Sequence, residues 1–426
     1  MPADDPIALL LAGQYRDPDT GERITAESRA VVIEDSLVGR EAELISALDV
    51  GRRVAVVSDR MTHEVLGARI ERALDGRFAV QSIVLEAPEA NDATVDQLAA
   101  RLEAGVDLVI AVGSGTVNDL AKMAAFRRGV PQAVFATAPS MNGYTSLSAS
   151  ITSDGIKRSF RTRTPIGVYF DLSVLAAAPK RMIRAGLGDS ACRPTAQADW
   201  LLQHLLLDRP YREAPFALLA EDERHLFADP RALLGGDLAA MRHLVRTLVL
   251  SGFGMTICNG SYPASQGEHL ISHYVDMLKS PEVPDTLHGE HIAVCTIGMA
   301  RLQEKMLARE TPPVLRPTRV TRESVMQHFG PVIGEGCWAE MEQKTFDART
   351  TDELNARLAR TWDAMRARIA AVTVGANTLR KMLVDADVPV EPADLGWPAA
   401  LTNAAWHHAR EIRNRYTFLD LAADSA

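Results

Sequence analysis

In "QGEHLISHYVDML", residues 266 to 278, His269 and His273 stand four positions apart within a helical pattern of apolar residues. Four residues is about one helical turn, so both imidazoles lie on one face and reach the same small volume. Two such rings can bind a metal or pass a proton, and the same spacing also suits an ordinary packed helix. Asp189, in "AGLGDSACRPTAQADW", and His288, with Glu290 in "DTLHGEHIAV", fall at expected starts of helices, where an aspartate also serves as an N-cap. One carboxylate and two imidazoles would give a borderline divalent cation three ligands and leave a position for substrate, as catalytic zinc requires. The donors are far apart in sequence, so only the fold can assemble them. "EHLISH" is neither HExxH nor HxxEH, which excludes the metalloprotease motifs.

A second chemistry is written in "DLVIAVGSGTVNDLAKMAAF", residues 107 to 126. It reads as a buried strand, a Gly113-Ser114-Gly115 turn and a helix from near Thr116. Glycines there permit close backbone approach and positive φ, and the helix N-terminus offers free N–H groups with a partial positive charge. That makes a phosphate site without any lysine. The third glycine of GxGxxG is missing, so a bare βα turn is the competing reading. "ATAPSMNGYTSLSAS", residues 136 to 150, follows the next strand with a run of small hydrogen-bonding groups. In parallel sheets ligands sit at such carboxyl ends, and two adjacent strands ending this way favour a nucleotide. Asp59, directly after "RVAVVS", is placed either to accept from a ribose hydroxyl or to sit in an exposed turn.

These side chains need two kinds of scaffold. Up to about residue 180, β-branched runs at 53 to 58, 82 to 85, 107 to 112, 133 to 137 and 166 to 170 alternate with helical patterns near 61 to 74, 93 to 104 and 116 to 128. That rhythm predicts a parallel sheet covered on both faces, an α/β Rossmann-like nucleotide-binding domain over residues 1–180. Beyond it, residues 181–426 predict an all-helical domain, with helices at 186 to 206, 236 to 257, 266 to 279, 288 to 310, 351 to 372 and 397 to 411. The chain has 426 residues, 47% of them hydrophobic, enough for two cores. A net charge of −9 argues against nucleic acid or a polybasic membrane contact as partner. The apolar start of the chain lacks a basic n-region and a cleavage site, and no stretch is long enough to span a bilayer. Four scattered cysteines without a CxxC pair fit reduced thiols, and the expected location is the cytoplasm. Lys157, Arg158, Arg161 and Arg163 read as exposed surface charge rather than a substrate-phosphate grip.

The segments "GSGTVNDLAK", "TAPSMNGYTS", "GLGDSACRPTAQADW", "SYPASQGEHLISHYVDM", "LHGE" and "RNRYTFLDL" together resemble the sn-glycerol-1-phosphate dehydrogenase family. That family lies within the larger group of iron-type alcohol dehydrogenases, glycerol dehydrogenases and dehydroquinate synthases. The resemblance runs in family order over roughly residues 50 to 420. It implies a dehydroquinate-synthase-like fold, NAD or NADP, and one divalent metal ion (zinc first, with nickel or iron as alternatives). It also implies reversible reduction of dihydroxyacetone phosphate to sn-glycerol 1-phosphate, by an assembly of at least two copies. Carried over residue by residue, Asp189, His269 and His288 become metal ligands, while His273, with Asp189, becomes catalytic and substrate-contacting. The cofactor would lie over Gly113, Gly115, Thr116, Val117, Asn118 and Asp119, with Thr137, Ala138, Pro139, Ser140 and Ser146 adding contacts and Asp59 near the ribose. Asn142 stands where the family has a substrate-binding aspartate, which loosens the expectation for the exact substrate. A polyol or alcohol dehydrogenase with another small substrate, a dehydroquinate-synthase-like lyase, and a nucleotide-binding regulatory protein are the competing readings.

Overall fold

A computed structural model describes residues 5–153 and 156–425, leaving out the side chains of 156 and 157. The chain divides into two compact units, Met1–Ser190 with Glu213–Gly260, and Ala191–Arg212 with Ser261–Ala426. This differs from a single cut after residue 180, because two helices in the middle of the chain, Ala214–Ala228 and Leu238–Ile257, return to the sheet-bearing unit.

The first unit is built on six parallel strands: β1 Ala30–Glu34, β2 Arg53–Asp59, β3 Ala79–Leu85, β4 Leu108–Gly113, β5 Gln132–Ala136 and β6 Gly167–Asp171. Their order across the sheet is β1-β6-β5-β4-β2-β3. Every residue of β4, β5 and β6 is buried. A strand covered on both faces has no polar side, so these read as continuous apolar runs rather than alternating ones. Strand β1 was not expected, and it pairs in parallel with β6. A second unexpected element is the antiparallel hairpin Ser148–Ser153 with Ile156–Arg161, whose serines and threonines read as loop.

Seven helices carry or support the site residues: α1 Gly115–Arg128, α2 Lys180–Ser190, α3 Arg193–Leu207, α4 Ala214–Ala228, α5 Leu238–Ile257, α6 Gly267–Leu278 and α7 His288–Leu307. Helices α1, α2, α4 and α5 belong to the first unit, and α3, α6 and α7 to the second. The single helix expected over 186 to 206 is two, because Pro194 occupies the first turn of α3. A proline lacks the N–H that a continuous helix needs there, whereas at a helix start that N–H is not required. Asp189 therefore lies at the end of α2 instead of capping the helix that follows.

The second unit continues with helices Arg322–Met341, Ala348–Ala370, Ala376–Asp385, Ala399–His408 and Phe418–Asp424. Their apolar faces meet in a core that includes Leu202, Leu270, Tyr274, Trp362 and Phe418. Among the described residues no strand follows β6, as expected, and no helix is long and apolar enough to cross a membrane.

Candidate active site

Pairing of Gly113 with Ala136 brings the ends of β4 and β5 side by side, so the Gly-Ser-Gly turn and the 137–146 loop leave the sheet together. Strand β2 pairs with β4 on the other side, through Val57 and Ala111, and ends at Asp59. The chain reverses its direction of travel across the sheet between β2 and β4. Ligands of open α/β sheets bind outside the carboxyl ends at such a point.

The two glycines of the turn serve different needs. A Cβ at Gly113 would lie 2.5 Å from Cβ of Val117, so only glycine lets the strand run this close to α1. A Cβ at Gly115 would find nothing nearer than Met141 Cγ at 3.9 Å. Packing within the chain does not demand that glycine; it leaves a cradle open over the start of α1. Neither residue has positive φ, contrary to expectation, so close approach is the reason for the glycine at 113. The Asn118 N–H makes the bond to the Ser114 carbonyl, 2.9 Å, and the amides before it face the helix end, where anions bind.

Side chains of the expected cofactor segment do varied work. Asn118 is fully buried and accepts from Gln132 Nε2 at 3.3 Å, locking α1 to β5. Asp119 accepts from the Ser150 N–H at 3.0 Å, tying α1 to the hairpin. Asp59 caps a short helix, accepting from Thr62 N–H at 2.7 Å. Thr137 N–H donates to the Gly113 carbonyl at 3.1 Å, and Ala138 receives the Tyr144 hydroxyl at 2.7 Å.

Beneath the loop lies Lys122, which the sequence reading left without a role. Its Nζ is buried and donates to the carbonyls of Gly143, Ser146 and Ser148 at 2.7, 3.2 and 3.1 Å. Burial lowers its pKa to about 8, the nearby Asp119 charge opposing that drop. Two more glycines press helices onto the same loop. A Cβ at Gly186 would fall 1.7 Å from the Pro139 carbonyl oxygen, and one at Gly252 2.2 Å from Thr145 Oγ1. Helices α2 and α5 thus bring Asp189 and Ser251 to Asn142, whose N–H donates to Asp189 Oδ2 at 3.1 Å and whose Nδ2 donates to Ser251 Oγ at 3.3 Å. Asn142 keeps its Oδ1 as an acceptor. Arg158, Arg161 and Arg163 are exposed on and after the hairpin, as expected, and the Lys157 side chain lies outside the described residues.

In the second unit the three histidines form one cluster. Ring centroids of His269 and His273 on α6 are 6.0 Å apart, and the His288 ring at the start of α7 is 5.1 Å from His269 and 5.8 Å from His273. The expected shared face exists. Glu290, beside His288, closes a capping interaction by accepting from Leu287 N–H at 2.7 Å, so it holds the helix start.

Buried acids below this cluster escaped the sequence reading. Glu268 accepts from the His269 ring, Oε1 to Nδ1 2.9 Å, and from Gln266 N–H at 2.8 Å. Asp199 on α3 is fully buried and receives Gly267 N–H, Phe418 N–H and Gln303 Nε2 at 3.0, 3.0 and 3.2 Å. Desolvation, then the Glu268 charge, pushes Asp199 up to about 8 in spite of those donors. Arg415 is buried near the chain end, donates to Ser261 Oγ at 2.7 Å and to the Ser265 carbonyl, and stacks over Tyr262. It fixes the turn that starts α6, which gives "RNRYTFLDL" a structural task. The only signal for these acids was polarity at positions with helical apolar spacing.

A family model described as iron-containing alcohol dehydrogenase matches residues 32–179. A glycerol-1-phosphate dehydrogenase (NAD(P)+) of Pyrococcus horikoshii is 33% identical over 275 residues, 64% of this chain and 78% of its own. A protein of the same name from Bacillus velezensis is 29% identical over 413 residues, 94% of each chain. Among solved structures, a Thermotoga maritima NADH-dependent butanol dehydrogenase superposes with a TM-score of 0.57 at 13% identity, over 95% of this chain and 98% of that one. A probable glycerol dehydrogenase of Sinorhizobium meliloti gives 0.54 at 19%, over 88% and 98%. At those identities the structures speak for the fold alone.

Proposed function

Because the chain belongs to the glycerol-1-phosphate dehydrogenase family, we propose that Asp189, His269 and His288 hold its divalent ion and that Gly113–Asp119 receive the NAD(P) pyrophosphate. The protein is an NAD(P)-dependent oxidoreductase acting on a CH–OH group, which reversibly reduces dihydroxyacetone phosphate to sn-glycerol 1-phosphate with the help of a metal ion.

The observation that carries the metal assignment is the histidine cluster of α6 and α7. His269 pairs through Nδ1 with Glu268, and the His288 ring is 5.1 Å away. Two imidazoles and a carboxylate suit zinc first, then nickel or iron. A divalent ion bound there supplies Lewis acidity at the substrate's carbonyl oxygen. His273 gives and takes the proton at that oxygen, a task suited to imidazole near neutral pH. Asn142 Oδ1 accepts from a substrate hydroxyl, with the side chain oriented by Ser251. In place of the family aspartate it adds no negative charge, which lowers repulsion toward a phosphorylated substrate. The open cradle at Gly115 supports the pyrophosphate assignment, since the α1 amides supply the donors and no lysine is needed.

An anaerobic nicotinamide-absorbance assay over dihydroxyacetone phosphate, dihydroxyacetone and glycerol tests the reading. Stoichiometric NAD(P)H consumption with the phosphorylated ketone is expected. A preference for the unphosphorylated substrates would assign a polyol dehydrogenase, and turnover with no net cofactor consumption a lyase.

A further inference from the structure

We propose that Glu268 is a positioning residue for the metal centre, fixing the His269 ring as the tautomer with hydrogen on Nδ1 and the lone pair on Nε2. The proposal deepens the assignment of His269 as a ligand and rests on it.

A neutral imidazole has one N–H and one lone pair, and which nitrogen carries which depends on the partner of the other. Glu268 Oε1 lies 2.9 Å from His269 Nδ1, and a carboxylate can only accept. The hydrogen therefore sits on Nδ1. Side chains at consecutive helix positions do not ordinarily face each other, so this pairing needs a specific cause. Here Glu268 occupies the first turn of α6 and folds toward the helix N-terminus, where Gln266 N–H donates to Oε1 at 2.8 Å and the helix dipole favours a negative charge. Glu268 is fully buried and His269 is 5% exposed, so water does not compete for the bond. Metal-ligating histidines that donate their second nitrogen to a carboxylate are oriented and made more basic by it.

Cys192 adds a complication. Its thiol, Glu268 and His269 bring donor atoms within 4.8 Å of one another, a composition that suits zinc. Glu268 Oε1 and His269 Nδ1 are already joined to each other at 2.9 Å, which favours the positioning role.

The test uses apo-protein, wild type and E268Q, with selective 15N labelling of histidine and zinc titration against a chromophoric chelator. Wild type should show the Nδ1–H tautomer at His269 and bind one zinc. E268Q, whose amide can present either O or N–H, should show a mixture of tautomers and a zinc Kd raised about 10- to 100-fold. An Nε2–H signal in apo wild type overturns the proposal even if E268Q does not fold. So does a folded E268Q with unchanged tautomer and Kd, or a second zinc in wild type lost in both E268Q and C192S. H269A reports separately on the underlying reading, because stoichiometric zinc in that variant would remove His269 from the metal site whatever E268Q does.

Discussion

Replacing Lys122 with methionine tests whether a buried charge holds the loop that carries Asn142 and Ser146. Methionine fills the space but leaves the carbonyls of Gly143, Ser146 and Ser148 without their ammonium donor. Buried acceptors deprived of a partner cost about 1–3 kcal/mol each, and two of these three retain a weaker donor in Ser146 Oγ, so a loss of roughly 2–4 kcal/mol at pH 7 is expected. The pH dependence is more diagnostic. Lys122 has a folded pKa of about 8 against 10.5 unfolded. Between those values the unfolded chain keeps a proton that the folded chain has released, so stability from this group rises with pH. From pH 7 to 9.5 the gain is about 2 kcal/mol. K122M has no such group, so its deficit relative to wild type should widen by that amount. Urea denaturation of both proteins at the two pH values, with m-values compared, measures it. NADH binding by fluorescence should weaken in parallel. A deficit that is constant or shrinks with rising pH would refute the lowered pKa of Lys122, and a K122M variant as stable as wild type at pH 7 would refute its role as a pin.

H269A should abolish turnover and stoichiometric zinc binding while the NADH Kd stays near that of wild type, as equilibrium fluorescence would show. Gly252→Ala puts a methyl 2.2 Å from Thr145 Oγ1 and 2.7 Å from the Asn142 carbonyl oxygen; overpacking of about 1–3 kcal/mol should lower the unfolding midpoint and raise the substrate KM. Asp199, held at about 8 when folded and near 3.8 when unfolded, contributes stability that is present below pH 4 and lost as pH rises to 8. The D199N variant should lack that decline, and parallel slopes for the two proteins between pH 5 and 8 would show that Asp199 is not protonated in the fold.

Much of this was legible in sequence because it rests on local periodicity. The runs of β2, β4 and β5, the glycine turn, and the helical spacing of His269 and His273 each announce themselves within a dozen residues. The division of the chain was not, since α4 lay outside the expected helices, α5 read as an ordinary one, and only their packing assigns both to the sheet unit. The break at Pro194 was present in the sequence and outweighed by the apolar spacing around it. Glu268 stayed hidden because consecutive helix positions do not ordinarily face each other, and Lys122 and Asp199 for a different reason. A buried charge is defined by partners remote in sequence, such as Gly143 for Lys122 and Phe418 for Asp199, and no local pattern marks it. Of the two causes expected for Gly113, close approach holds and positive φ does not, because sequence does not distinguish a steric need from a conformational one.

The most direct test is an anomalous-difference map from crystals grown with zinc, collected on both sides of its absorption edge. A single peak is expected within bonding distance of the Asp189 carboxylate, His269 Nε2 and a His288 ring nitrogen. A peak at Cys192 and Glu268, or the three side chains turned away from any common ion, would contradict it.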